Sequence, residues 1–290
     1  MFVQSNDLKG IKSYFYRELS EKFSESEINL IVKVTVCNRL NISSNEYLLV
    51  RSQKFSESDL LHFRSIVKRL KNDEPFQYVV GSTEFFGLEI KTDHRALIPR
   101  PETEELVSWA LELYDLNSAA SMMDICGGSG CIALALKDNL PNAKVSILEF
   151  DKAALSLIRE NMEILDLDIQ IIEGDALTSE VYRVLKPGTF DCWISNPPYI
   201  PFKDKSKMAR NVLDFEPGIA LFVEDDAPLV FYRSIAREAL LYLKNEGRLF
   251  FEIHEDLKEE VVALLTELGF VNIEVRKDLQ GKYRMVQAIK

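Results

Sequence analysis

The sequence predicts an α/β fold: a mostly parallel sheet with an antiparallel C-terminal strand, preceded by a small helical bundle. Three observations carry this. From residue 120 onward, short β-rich runs alternate with helical patterns, as βαβ units do. The last two β runs, NIEVRKD and YRMVQAIK, are joined only by Leu279-Gln280-Gly281-Lys282. That link is too short for a crossover, so the two form a hairpin and at least one of them runs antiparallel. Before residue 75, apolar residues recur at helical spacing with almost no glycine.

In chain order, Leu8, Ile11, Tyr14 and Phe15 share one helical face, as do Ile28, Leu30, Ile31, Val34 and Val36. Ser24 with Glu27 has the spacing of a capping box, and Ser56 ahead of Glu57, Ser58 and Asp59 marks a further helix start. Residues 1–75 therefore read as an N-terminal helical domain. Gln77 to Ile98 is β-rich, with Tyr78-Val79-Val80-Gly81 and then Glu84-Phe85-Phe86-Gly87-Leu88-Glu89-Ile90, so a β-hairpin connector is expected over 76–98. Helical periodicity returns from Glu102 to Leu113. The domain at 99–290 then runs SMMDIC (strand), CIALALKDNL (helix), KVSILEF (strand), KAALSLIRENMEIL (helix), IQIIEGD and FDCWISN (strands). The long helix APLVFYRSIAREALLYLKNEG, the strand RLFFEIH, a helix through VVALLTELG and the closing hairpin complete it.

Composition narrows the function. Of 290 residues, 47% are hydrophobic and 28% charged, and the net charge is −11. Residues 1–75 hold 12 basic and 10 acidic side chains, so the remainder carries 23 against 36. A body this acidic is poorly suited to tracking nucleic-acid phosphates, although the mildly basic N-terminal part leaves room for an RNA or an acidic partner. No signal peptide or membrane-spanning segment is apparent. Cys37, Cys126, Cys131 and Cys192 are scattered and only three histidines accompany them. No metal site or disulfide framework is expected, and a cytoplasmic location suits free thiols.

The first strand of the α/β region runs into Asp124-Ile125-Cys126-Gly127-Gly128-Ser129-Gly130-Cys131, a glycine-rich turn that opens a helix. Such a turn lets backbone approach a ligand closely and aims helix N-terminal amides at it. Glu149 ends the second strand, 19 residues after Gly130, where Rossmann-like folds place a carboxylate on ribose hydroxyls. Asp175 closes the third. Because GxGxxG is absent, NAD is disfavoured. The spacing resembles the DxGxGxG loop of class I S-adenosylmethionine (SAM) methyltransferases.

At the end of the fourth strand stands Ser195-Asn196-Pro197-Pro198-Tyr199-Ile200. Two successive prolines stop a ladder. An [DNS]PP[YFW] motif here resembles methyltransferases acting on planar, conjugated nitrogens: adenine N6, cytosine N4, guanine N2 and glutamine amide. Asn196 can accept one N–H through its side-chain carbonyl and the Pro197 carbonyl the other, while Tyr199 packs on the flat face. Nucleobase and glutamine both remain open on the motif alone.

Further motifs separate them. Glu74-Pro75-Phe76-Gln77-Tyr78-Val79-Val80-Gly81, EFFGLEI, and Ala96-Leu97-Ile98-Pro99-Arg100-Pro101-Glu102-Thr103-Glu104-Glu105-Leu106-Val107 resemble the peptide-chain release factor glutamine methyltransferases (PrmC/HemK). The likeness continues through DICGGSGCIALAL, FDCWISNPPYIP, Phe215-Glu216-Pro217 with Ala220-Leu221, and FYRSI, covering about residues 70–290. It implies SAM as cofactor, S-adenosylhomocysteine as product, no metal, and the GGQ glutamine of class 1 release factors as substrate, with a monomer docking the factor through its helical N-terminal domain. Cys126, Gly127, Gly128, Ser129, Gly130, Glu149, Asp175, Ala176 and Asn196 would hold the cofactor. Asn196, Pro197, Pro198 and Tyr199 would hold the glutamine, with Arg100, Glu102 and Thr103 in the same pocket. Asn196, Pro197 and Tyr199 are the catalytic candidates. Arg100 is open to a second role as an ion-pair partner, and Phe85 to covering the cofactor or filling the hairpin core.

Three positions depart from the family pattern. Cys126 replaces the first loop glycine, Ala176 replaces an aromatic that would stack on adenine, and His254 and Leu257 alter EIGxxQ. His254 reads as a strand-end residue. The other readings are a nucleic-acid base methyltransferase, which predicts a basic groove, and a SAM-binding interaction module without catalysis.

Overall fold

A computed structural model describes all residues except Met1, Phe2 and Gln4, the very start of the expected helical domain. The chain divides into two compact units, Met1–Ser82 with Ala209–Phe215, and Thr83–Met208 with Glu216–Lys290.

The first unit is helical: α1 (Leu8–Leu19), α2 (Glu25–Leu40), α3 (Glu57–Lys71) and α4 (Phe76–Val80). The predicted capping box of Ser24 with Glu27 forms, and the helix start expected at Ser56 is a second one, with Asp59. The apolar stripes meet in one core around Ile11, Phe15, Val32, Phe63 and Leu70. The segment 76–80 is a helix and not the strand its Val and Tyr content suggested. Pro75 presets φ at its start and Gly81, at φ 86°, closes it in the left-handed region. The Arg69 guanidinium donates to the exposed carbonyls of Tyr78 (3.0 Å) and Val79 (3.2 Å), which satisfies the end of a turn too short to be stable alone.

The second unit begins with the hairpin β1 (Ser82–Phe85) and β2 (Leu88–Lys91), turned by Phe86 and Gly87, both at positive φ. Then follow α5 (Pro101–Leu111), β3 (Ser121–Ile125), α6 (Cys131–Asn139), β4 (Lys144–Glu149), α7 (Lys152–Leu165), β5 (Gln170–Glu173), α8 (Ser179–Tyr182) and β6 (Phe190–Ser195). After β6 the chain makes an excursion bracketed by the two-residue strands β7 (Ile200–Pro201) and β8 (Phe222–Val223). It contains α9 (Arg210–Phe215), which belongs to the first unit. The chain ends with α10 (Val230–Tyr242), β9 (Leu243–Glu252), α11 (Lys258–Leu268), β10 (Val271–Lys277) and β11 (Tyr283–Ile289).

The seven-stranded sheet has the order β10-β11-β9-β6-β3-β4-β5, with β11 antiparallel to both neighbours. Successive side chains face opposite layers. Met122, Ile147, Ile194 and Phe250 pack with α5, α6 and α7, while Met123, Leu148, Trp193 and Phe251 pack with α10 and α11. Both faces are covered, as expected of a parallel sheet. The helix expected through Gly247 stops at Tyr242, because Leu243 turns extended and pairs with Phe190. The Leu241 and Tyr242 carbonyls accept from Gly188 and Thr189 instead of continuing the helix.

The strand order places the site. The chain leaves β3 toward β4 and β5, then returns to β6 on the other side of β3. Loops leaving β3 and β6 diverge at that switch point and open a crevice beyond the carboxyl ends.

Candidate functional site

The crevice is a cavity of about 280 Å³ lined by all four loops predicted to meet there. Cys126, Gly127, Gly128 and Ser129 line it after β3, Glu149 after β4, Asp175 and Ala176 after β5, and Asn196 and Pro198 after β6. Arg100 and Thr103 join from the start of α5.

The β3–α6 loop is tightly folded. Gly127 leaves no room for a side chain, since an added Cβ would lie 2.2 Å from Ile147 Cδ1. Gly128 (φ 56°) has open space where its Cβ would stand, so a side chain there would fill the cavity. Gly130 (φ 84°) is the N-cap of α6, packed under Leu134 and Ile158; it shapes the loop without lining the cavity. Cys126 adopts φ 65°, the left-handed conformation that its glycine-like position demands. Asn161, fully buried on α7, ties the Ser129 carbonyl (3.0 Å) to the Lys91 backbone.

Glu149 is pre-set by three backbone N–H groups. Gly128 donates to Oε2 (2.8 Å), and Phe150 (2.8 Å) and Asp151 (2.7 Å) donate to Oε1. Burial pushes its pKa up against these donors. Asp175 accepts from Leu177 N–H (2.8 Å), and the buried Ala176 turns its carbonyl to Tyr182 and Ser234. In place of an aromatic at 176, apolar wall comes from Leu148, Leu177, Phe150 and Phe231. Phe150, directly after the predicted acid and 55% exposed, was passed over in the sequence because it reads as the end of a strand.

At the β6 end, Ser195 Oγ donates to the Ile125 carbonyl (2.5 Å), locking the two paired strands together where their loops diverge. Asn196 Nδ2 donates to Thr103 Oγ1 (3.1 Å), and Thr103 Oγ1 donates to Glu252 Oε2 (2.6 Å). Tyr199 OH donates to Glu252 Oε1 (3.0 Å). Glu252, 2% exposed at the end of β9, opens the EIGxxQ-like run but carries no predicted role, since its partners lie 53 and 149 residues away.

Four predicted residues stand apart from the cavity lining: Gly130, Glu102, Pro197 and Tyr199. Glu102 accepts from Gln280 Nε2 (2.9 Å), because a helical step of about 100° turns it away from the side that Thr103 faces. Tyr199 packs beside the α10 core with its ring edge-on to His254 (centroids 6.1 Å apart). Arg100 lines the cavity and is also an ion-pair partner: its Nη2 donates to both oxygens of buried Glu216 (2.6 and 2.8 Å), which in turn accepts from Ile98 N–H. Phe85 is 1% exposed in the core against α5 and does not reach the cavity, so it fills the core and covers nothing. His254 caps the turn after β9 by accepting from Asp256 N–H.

A bare glycine backbone, a half-buried carboxylate at the crevice and apolar walls beside it can receive an amphiphile with hydroxyls and a flat ring. The amide and hydroxyl at 196 and 103 offer directional contacts at its far end.

Known proteins place this arrangement. A family model described as "Methyltransferase small domain" matches residues 109–215, and one described as "PrmC N-terminal domain" matches 13–81. The crystal structure of a methyltransferase from Pyrococcus furiosus superposes with a TM-score of 0.51 at 18% identity, covering 77% of this chain and 96% of that one; the likeness shows the class I methyltransferase fold. The release factor glutamine methyltransferase of Flavobacterium psychrophilum is 37% identical over 283 residues, 97% of this chain and 98% of the relative. The protein of the same name from Bacteroides thetaiotaomicron is 33% identical over 97% of this chain and 99% of its own length. That from Streptococcus pneumoniae is 37% identical, over 96% of this chain and 97% of its own. With identity at this level over nearly the whole of both chains, the chain belongs to the release factor glutamine methyltransferase family.

Proposed function

We propose that the protein methylates the side-chain amide nitrogen of the glutamine in the GGQ motif of class 1 release factors, using SAM. The observation that carries this is the convergence of the glycine loop, Glu149 and Asn196 on one cavity. Family membership supplies the substrate class.

The residues present fit SAM. Glu149 is a half-buried acceptor suited to a pair of ribose hydroxyls, and Leu148, Ala176, Leu177 and Phe150 suit the face of an adenine. The space left by the missing side chain of Gly128 suits the methionine end. Cys126, Gly127, Ser129, Gly130 and Asp175 complete the cradle as lining or shaping residues. When bound, SAM supplies an electrophilic methyl group.

The protein's own part is orientation. An amide nitrogen is delocalised into its carbonyl and scarcely basic, so positioned acceptors must pull its N–H groups into line for attack. Asn196 Oδ1 has no hydrogen-bond partner among the described residues, because the Nδ2 end is occupied by Thr103, and it is the first such acceptor. The second is assigned to the carbonyl of Pro197, which adjoins Asn196 although Pro197 itself stands outside the cavity lining. Pro198 walls the amide from the cavity side, Tyr199 stands behind it on Glu252, and the Arg100–Glu216 pair holds the segment before α5 in place. No general base is assigned; the proton leaves to water after methyl transfer. The helical N-terminal domain docks the release factor, and the enzyme works as a cytoplasmic monomer without direct nucleic-acid contact. The acidic body, the four free cysteines and the family support this setting.

Methylation of a release factor is followed by mass spectrometry of the GGQ peptide. Asn196→Ala should lower turnover by about 10²-fold or more, the usual cost of a preorganised polar contact. Near-normal turnover in that variant would refute the role given to Asn196.

A further inference from the structure

We propose that Thr103 and Glu252 are positioning residues that fix the direction of the Asn196 side-chain amide, turning its carbonyl, and not its NH2, toward the substrate nitrogen. This rests on the glutamine-amide reading above.

The argument is one of hydrogen-bond polarity. An ionised carboxylate only accepts, and a hydroxyl has a single proton to give. Both Glu252 oxygens receive donors, Thr103 at 2.6 Å and Tyr199 at 3.0 Å, the pattern of a carboxylate. Thr103 has thereby spent its proton on Glu252, so toward Asn196 it can only accept. Asn196 must then present Nδ2, which it does at 3.1 Å, and its Oδ1 is left without a partner among the described residues on a side chain that lines the cavity. Burial pushes the Glu252 pKa up, and the Thr103 and Tyr199 hydroxyls, followed by the charge of Arg284, whose guanidinium reaches the Ile253 carbonyl and Asp278, oppose that rise and favour the carboxylate whose two oxygens both accept. The main-chain carbonyl of Glu252 accepts from Tyr232 OH (3.2 Å), which anchors the residue itself.

The consequence concerns both ends of the substrate motif. One carboxylate grips Tyr199 directly and Asn196 through one hydroxyl, so the two flanks of the proline pair share a single anchor. A glutamine at 252 could donate to Thr103, which would release the hydroxyl proton toward Asn196 and turn its amide about. The substrate NH2 would then meet an NH2.

The test compares Thr103→Val, Thr103→Ser and Glu252→Gln in the full-length protein, with SAM affinity by calorimetry, kcat and KM on a release factor, and the Asn196 side-chain amide signal by NMR without substrate. In Thr103→Val and Glu252→Gln, kcat should fall about 10²-fold, as for loss of one preorganised contact, while KM and SAM affinity stay within about threefold. Thr103→Ser, which keeps the hydroxyl, should recover most of the loss seen with valine. The double variant Thr103→Val/Glu252→Gln should be no slower than either single change, because the two act as one relay. The Asn196 amide signal should shift in the valine and glutamine variants and hold in the serine variant. Unchanged kcat in Thr103→Val, no rescue by serine, or an unmoved Asn196 signal would overturn the proposal. If the wild type transfers no methyl to release factor, the substrate reading fails instead, and the amide signal still decides the relay.

Discussion

Cys126 holds a left-handed backbone (φ 65°) that a side chain adopts at a cost of order 1–2 kcal/mol. A branched side chain would sit far worse. Cys126→Val should destabilise the fold by about 1–3 kcal/mol and weaken SAM binding, seen as a lower thermal midpoint and by calorimetry. Equal stability would show that the loop relaxes freely. Two residues earlier, burial pushes the Asp124 carboxyl up to about 8, opposed in part by the Ala133 N–H and reinforced by nearby Glu149. Its Oδ1 has no hydrogen-bond partner among the described residues. An acid with a raised folded pKa favours folding below its ordinary value near 4, and that contribution is lost as pH rises toward 8. Asp124→Asn keeps the acceptor for Ala133 and cannot ionise. Without SAM, its thermal midpoint relative to wild type should therefore rise between pH 5 and pH 9; a difference independent of pH would contradict the assignment. At this scale the sequence shows which residues gather at the strand ends but not how they connect. Thr103 and Asn196 were named for the site, whereas Glu252, which joins Thr103 to Tyr199, and Glu216 under Arg100 stood only inside motifs with no such role, since long-range polar pairs leave no local pattern.

At the scale of elements, the seven strands of the main sheet and the helices α5, α6, α7, α10 and α11 were legible from periodicity, because both sheet faces are buried and each strand alternates between two cores, whereas the short α8, α9, β7 and β8 were not foreseen. The misreadings share one cause. Residues 76–80 become a helix because Arg69 caps their carbonyls, and α10 ends early because β9 must pair with β6. Both are tertiary decisions that override local preference. Phe85 was equally compatible with core and cavity until the turn at Phe86–Gly87 set which way it faces. Where a local signal was chemically complete, it held. In α3, Ser56 Oγ accepts from Asp59 N–H (3.2 Å) while Asp59 Oδ2 accepts from Ser56 N–H (3.0 Å). Ser56→Ala should cost about 1 kcal/mol of stability, read from the urea midpoint, and no measurable loss would show that tertiary packing alone holds that helix.

Across the whole molecule, charge and topology agree on the reaction. The α/β body is strongly acidic, which disfavours a nucleic-acid duplex as substrate, while the strand order sets the cofactor loop and the Asn-Pro-Pro-Tyr segment on either side of one crevice. The same segment on a basic body with a groove would have pointed to a nucleobase. The central claim is that this crevice methylates a glutamine amide of a release factor. The most direct test incubates the protein with labelled SAM, a class 1 release factor, duplex DNA and ribosomal RNA, and locates the label by mass spectrometry. A single methyl group on the side-chain nitrogen of the GGQ glutamine, lost in Asn196→Ala, is the predicted result; label in DNA or RNA with none in the release factor would contradict it.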